Sequence, residues 1–396
     1  MVSTNGGALS GLRVIDVTQV LAGPFCAMLL ADLGADVIKI EPPRGDMTRR
    51  MPGAVGTDTP AFNAVNRGKR SVALDLKTVA GRDALAQLAL SADIFVENGR
   101  PGGMAALGLD YPTLAARNPR LIYASISGYG QTGPDRAKGG LDLVAQAVSG
   151  IMSVTGTPGG PPTKVGVPLT DLGAGLFALT GILAALEYRH RSGAGQHVDT
   201  SLVDAGVALS VWEATEYFAG AGVPAPLGSA HRMLAPYQAF MCADGAVTVG
   251  ASTDLLFQRL CDALGHPEWP GIIEFADNAS RVRNRTALAE RIESVTRQHP
   301  RSHWLAAFEA SEIPSGPINN YAEVFANPQI LARDMVVTVD HPTLGTMRTL
   351  GSPIKLSATP PEVRRRAPHL GEHTEDVLRE AGFDAARIAA LVQARS

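Results

Sequence analysis

The sequence predicts an α/β protein: a parallel sheet crossed by helices, a smaller α+β unit after it, and a tail that returns to the first unit. Three observations predict this. Short apolar strand-like runs alternate with helical stretches between residues 13 and 126, as parallel strands joined by right-handed crossovers require. From Leu141 the pattern turns helical, and the Gly-, Pro- and Ala-rich segment 219–232 then breaks it. At 396 residues the chain exceeds what one hydrophobic core holds. The expected divisions are 1–218, a small domain with its linker at 219–325, and 326–396.

Taken in order, RVIDV (13–17) reads as a strand, FCAMLLADLGA (25–35) as a helix and DVIKIE (36–41) as a strand. SVALDL (71–76), DIFVEN (93–98) and LIYASI (121–126) continue the strands, with a helix around GRDALAQLALSA. LDLVAQAVSGIM, the apolar run after Asp171 and QHVDTSLVDAGVALSVWEATEYF follow as the helical part. In the second unit YQAFMC and AVTVGA flank Ala243-Asp244-Gly245, a hairpin signal. LLFQRLCDALG and RTALAERIESVTRQH are amphipathic helices. The final 326–396 is too short for a third domain, so it is expected to pack on the first.

Composition narrows the function. With 35 basic and 38 acidic residues the charge balance does not favour a general polyanion-binding surface, though it leaves room for local basic clusters, and no nucleic-acid partner is expected. Cys26, Cys242 and Cys261 are too few and too far apart for a zinc pattern or a disulfide framework, and read as buried thiols. The start lacks a signal-peptide pattern, and the run Leu172–Leu186 falls short of the roughly 20 residues a bilayer demands. A cytoplasmic protein without a membrane partner is the expectation.

The opening strand, helix and acid-ended strand suggest a nicotinamide-dependent oxidoreductase, but the glycines do not agree. The turn Val20-Leu-Ala-Gly-Pro24 has one glycine, where a dinucleotide turn needs G-x-G-x-x-G, and Pro24 removes a donor. His369 and His373 flank a glycine-bearing loop with no third ligand nearby in sequence, so no metal is expected. The loops at the C-terminal strand ends are more informative, because open α/β sheets bind ligands there. They carry Val20, Leu21 and Ala22; Arg44; Leu74 and Lys77; Asn98, Gly99 and Arg100; and Tyr129. Glycine N–H groups, an amide and several cations suit a large phosphate-bearing ligand, with Arg44, Lys77 and Arg100 as charge partners.

Asp171 stands alone between glycine-studded apolar runs in VGVPLTDLGAG, and Asp is a favoured helix N-cap, so the simplest reading makes it the cap of the helix that follows.

The stretches LSGLRVIDVTQVLAGPFCAMLLADLGADVIKIEPP, NRGKRSVALDLK, DIFVENGRPG, SISGYGQTGP and GVPLTDLGAGLFALTGILAAL resemble the class III CoA-transferase family, which includes formyl-CoA transferase, carnitine CoA-transferase and α-methylacyl-CoA racemase. The likeness runs from about Gly11 to Leu-Gly-Glu-His-Thr at 370–374. It implies a Rossmann-like large domain built from both termini, a small inserted domain and an interlocked homodimer. It also implies that Asp171 is the nucleophile of an acyl transfer, with coenzyme A as substrate and no other cofactor. The racemase alternative places a His before the Asp of Gly139-Gly-Leu-Asp142, where this chain has Leu141, which carries no proton. The tyrosine often expected of transferases there is missing too, and Ala106 stands where formyl-CoA transferase has a CoA-contacting arginine. Segments 230–240 and 313–320 look most like the branch that pairs succinyl-CoA with a second small dicarboxylic acid. His231 and Arg232, on the linker, are the expected partners of that acid's far carboxylate, with Leu141 a further substrate contact.

Overall fold

The computed structural model describes residues 6–53 and 59–393. In chain order the first unit holds β1 (Arg13–Asp16), α1 (Ala22–Asp32), β2 (Asp36–Glu41), α2 (Pro60–Asn66), β3 (Arg70–Ala73), α3 (Val79–Leu90), β4 (Ile94–Glu97), α4 (Gly103–Ala106), α5 (Tyr111–Ala115) and β5 (Ile122–Ser127). It continues with α6 (Asp142–Val148), α7 (Ile151–Val154), whose last two residues belong to the second unit, α8 (Leu169–Ser192), β6 (His197–Ser201), α9 (Leu202–Leu209) and α10 (Val211–Phe218). The second unit holds β7 (Tyr237–Cys242), β8 (Gly245–Gly250), α11 (Asp254–Ala263), α12 (Asn278–Arg283), α13 (Arg285–Thr296), α14 (Arg301–Ala310), β9 (Ser315–Pro317) and α15 (Tyr321–Ala326). α16 (Pro328–Ala332), β10 (Val336–His341), β11 (Gly345–Leu350), α17 (Thr374–Glu380) and α18 (Ala385–Gln393) complete the chain.

Six parallel strands form one sheet in the order β3-β2-β1-β4-β5-β6. The order reverses between β1 and β4, the switch point at whose C-terminal strand ends open α/β sheets bind ligands. Alternation along the strands sends successive side chains to opposite faces. Val14, Val37, Ile94, Val96, Ile122 and Ala124 pack with α1 and α8 on one side. Ile15, Ile38, Phe95 and Tyr123 pack on the other, where Val377, Leu378, Ile388 and Leu391 of α17 and α18 complete the layer.

β6 is a strand that sequence periodicity did not predict. His197–Ser201 lies in a segment read as helix, and pairing with Tyr123–Ser127 of β5 overrides its polar composition. All six strands precede residue 202, so the C-terminal segment adds helices to this unit and none of the strands of the large sheet. It also covers the free edge of β3: Ser71 N–H donates to His373 Nδ1, Ala73 N–H to Thr374 Oγ1, and His373 N–H to the Ser71 carbonyl. An open strand edge is thereby blunted.

The chain divides into two compact units, one of 1–152, 164–222 and 328–396 and the other of 153–163 and 223–327. The excursion of 153–163 into the second unit lies inside a stretch expected to belong wholly to the first. The second unit carries the antiparallel sheet β7-β8-β9 over a core of Phe240, Phe257, Trp304 and Phe308. All three cysteines are buried. Helix α8 is long and apolar enough to cross a bilayer by length and composition, yet it packs on α1, α9, β5 and β6.

Candidate active site

Asp171 is the third residue of α8, not its cap. Pro168 occupies the cap position and offers no side-chain oxygen. The cap comes instead from α6: Asp142 Oδ1 accepts from Thr170 N–H at 3.0 Å and from Thr170 Oγ1 at 2.8 Å. Its other oxygen accepts from Gln146 Nε2 at 2.8 Å, while Gln146 Oε1 accepts from Val165 N–H at 2.8 Å. Thr170 and Gln146 are fully buried, so the turn before Asp171 is held from both sides. Asp171 itself is half-buried. Burial, and then the charge of Asp142, push its carboxyl up to about 6.

Glycine explains how this turn is packed. A Cβ on Gly175 would lie 2.7 Å from the carbonyl oxygen of Ala22, and one on Gly173 would lie 2.9 Å from Leu209. Backbones of α8 and α1 therefore meet where a side chain would part them. Asp171 lies one helical turn, about 6 Å of rise, from that contact.

The loop between β1 and α1 is held by buried charges. Lys39 Nζ donates to the Thr18 carbonyl at 2.8 Å, and Lys69 Nζ donates to the Pro24 carbonyl at 3.0 Å and to Asp16 at 2.8 Å. Lys39 also lies 3.0 Å from Asp46, and Arg49 pairs with Glu41 at 2.7 Å. Three cations and three carboxylates balance in a region closed to water. Between the tethers Val20 takes a left-handed φ of 70°, strained for a β-branched residue and sustained only because its surroundings dictate it. Lys69 is held down to about 8, mainly by burial.

The remaining expected residues fall into three groups. Arg44, Lys77 and Arg100 are exposed on the strand-end loops of the first unit, and an Arg100 guanidinium nitrogen lies 3.5 Å from where a Cβ on Gly139 would be. Gly99 N–H donates to Glu97 at 2.8 Å, and Tyr129 is half-buried. Leu141 is 71% exposed at the start of α6. A second group reaches solvent poorly: Leu74 and Ala22 are buried, so a ligand meets their backbone rather than their side chains. Asn98, expected to offer its amide, has both ends engaged by Gln19, accepting from its N–H at 2.9 Å and donating to its carbonyl at 2.7 Å. That clamp ties the β1 and β4 loops together across the switch point. The third group, His231 and Arg232, belongs to the second unit. There Met233 N–H donates to His231 Nδ1, and Arg285 donates to the carbonyls of both residues.

Sequence reasoning missed the role of Asp142 and the buried ion network. A signal for the network was present: Asp16, Lys39 and Glu41 are charges placed inside strands that are otherwise apolar.

The family model described as CoA-transferase family III matches residues 9–374. The chain is 41% identical to human "Succinyl-CoA:glutarate CoA-transferase" over 374 residues, covering 94% of this chain and 85% of that protein. It is 42% identical to "Succinyl-CoA:mesaconate CoA-transferase" of Haloarcula marismortui over 388 residues, covering 96% and 97%. Its structure resembles a CAIB/BAIF family protein from Brucella suis with a TM-score of 0.86 at 38% identity, covering 95% of this chain and all of that one.

Proposed function

The chain belongs to CoA-transferase family III, and from that premise we propose that it moves coenzyme A from succinyl-CoA to a small carboxylic or dicarboxylic acid through covalent forms of Asp171. What supports the mechanism is the setting of Asp171: a half-buried carboxyl in the first turn of α8 that is left uncommitted because Asp142 caps the helix, with burial and that neighbouring charge pushing it up to about 6.

In the first step an Asp171 oxygen attacks the thioester carbonyl, the C–S bond breaks and the charge leaves on the CoA thiolate. The product is a succinyl-aspartyl anhydride. The thiolate then attacks the Asp171 carbonyl, which releases succinate and leaves Asp171 joined to CoA as a thioester. The acceptor carboxylate attacks that thioester, frees the thiolate and forms a second anhydride. Attack of the thiolate on the acceptor's acyl carbonyl yields the new acyl-CoA and restores Asp171. No redox or metal cofactor enters this sequence, and CoA is a substrate throughout. Anhydrides hydrolyse, so the cycle requires a dry setting; the buried turn of Thr170 and the close approach of Gly175 to α1 support one.

For the nucleotide portion of CoA, Arg44, Lys77 and Arg100 supply cations, and Val20, Leu21, Ala22, Leu74, Asn98, Gly99 and Tyr129 are proposed as its surroundings, with Leu74 and Ala22 acting through their backbone. His231 and Arg232 are proposed for the acceptor's far carboxylate, and Leu141 for apolar contact with the acyl chain. Racemase chemistry lacks a proton carrier at Leu141. The protein is proposed to act as an interlocked homodimer; Val211, Trp212 and Phe218 of α10, each more than half exposed, form an apolar face of the kind that marks an association surface.

A panel of free mono- and dicarboxylic acids incubated with succinyl-CoA, with new acyl-CoA masses read by mass spectrometry, tests the reading. Acid-dependent acyl-CoA formation that vanishes in Asp171→Asn is expected. Transfer that persists in that variant overturns the mechanism.

A further inference from the structure

The arrangement at the start of α8 places two carboxylates where one would serve. A free helix N-terminus carries a partial positive charge of about half an elementary unit, which ordinarily favours a carboxylate in the first turn. Here that terminus is already met by an anion, because Asp142 accepts from both the N–H and the hydroxyl of Thr170. Gln146, itself anchored on Val165, fixes the second oxygen of Asp142. Asp142 therefore cannot turn away from the residue that follows Thr170.

We propose that Asp142 is a positioning residue for the transfer reaction: it fixes the turn that presents Asp171 and, as a second negative charge beside it, favours the uncharged acylated forms of Asp171 over the free carboxylate. This rests on the covalent mechanism above. On acylation the Asp171 oxygen gains a bond to the acyl carbon, the C–S bond breaks and the charge departs on sulfur, so the repulsion across the turn is relieved. The thioester of Asp171 is uncharged as well, and gains equally.

Charged groups on the elements packed around α8 are few. α1 brings Asp32, which is paired with Arg67; β6 brings His197 and Asp199, the latter accepting from Gln131 N–H; α9 brings Asp204; and α6 brings Asp142. The far end of α8 carries Glu187, Arg189, His190 and Arg191, four turns or more from Asp171. Among all of these Asp142 is the one held against the residue that precedes Asp171, and its charge raises Asp171 in the same direction as burial.

The experiment measures formation of the covalent adduct on the Asp171 peptide after rapid mixing with succinyl-CoA and acid quench, read by mass spectrometry from pH 5 to pH 8. Asn caps as well as Asp, so Asp142→Asn keeps an oxygen on Thr170 while removing the charge and the hydrogen bond from Gln146. It is expected to lower the adduct fraction about three- to tenfold and to shift the acid midpoint below the wild-type value near 6. Asp142→Glu keeps the charge and displaces the cap; its midpoint stays near the wild-type value while kcat falls. An unchanged midpoint and adduct fraction in folded Asp142→Asn overturn the proposal, as does a lowered midpoint in Asp142→Glu, which also decides the matter if Asp142→Asn does not fold. Absence of any adduct in the wild type overturns the covalent mechanism itself.

Discussion

Asp171→Asn separates stability from chemistry in a way the geometry makes quantitative. Asp171 caps nothing, since Asp142 caps α8, and its folded carboxyl sits near 6 against about 4 in an unfolded chain. The folded state therefore holds the proton more tightly than the unfolded state, and stability falls as pH rises from about 4 to about 6, then stays level above both values. Two decades of ionisation at 1.36 kcal/mol each give roughly 3 kcal/mol as the upper bound on the cost of the ionised group at pH 8. Replacing it with neutral Asn should recover about 1–3 kcal/mol at pH 8 and little at pH 4, because an amide still needs a partner in a half-buried place. Denaturant unfolding of both proteins at the two pH values measures this, beside a transfer assay in which the variant should be inactive. A variant less stable than wild type at pH 8 would refute the reasoning, for it would make Asp171 a structural anion rather than a carboxylate held at a cost for reaction.

Replacing Lys77 and Arg100 together with Ala should weaken CoA binding about tenfold or more and flatten its salt dependence, read by calorimetry at two ionic strengths. Gly175→Ala should cost about 1–3 kcal/mol, since its Cβ would meet the Ala22 carbonyl, and should lower kcat by moving α8 off α1; a variant with wild-type stability and rate would show that the close approach is dispensable. Light scattering should give twice the chain mass of 41.4 kDa, and Trp212→Glu should shift that mass downward on dilution; a monomeric wild type refutes the homodimer.

The central sheet was legible because its strands are buried on both faces and their β-branched residues announce themselves. β1, β2, β4 and β5 lie where RVIDV, DVIKIE, DIFVEN and LIYASI placed them. β6 was not, because His197-Val-Asp-Thr-Ser has the composition of a loop and becomes a strand only through the ladder with β5. The same division runs through the candidate site. That a lone aspartate opens an apolar helix can be read from adjacent residues, whereas the group that caps that helix is a carboxylate 29 positions before Asp171 in the chain. A local rule assigns the cap to Asp171 because nearby residues are all it can weigh. The fold assigns it to Asp142, and that leaves Asp171 in a different setting from a capping aspartate: an anion accepting from free N–H groups is stabilised, whereas Asp171, desolvated and near a like charge, is pushed up to about 6. The loop residues follow the same logic. Val20 holds a left-handed backbone that its own β-branched side chain opposes, and what holds it there, Lys39 on β2 and Lys69 before β3, is set by sheet order and not by anything adjacent in sequence.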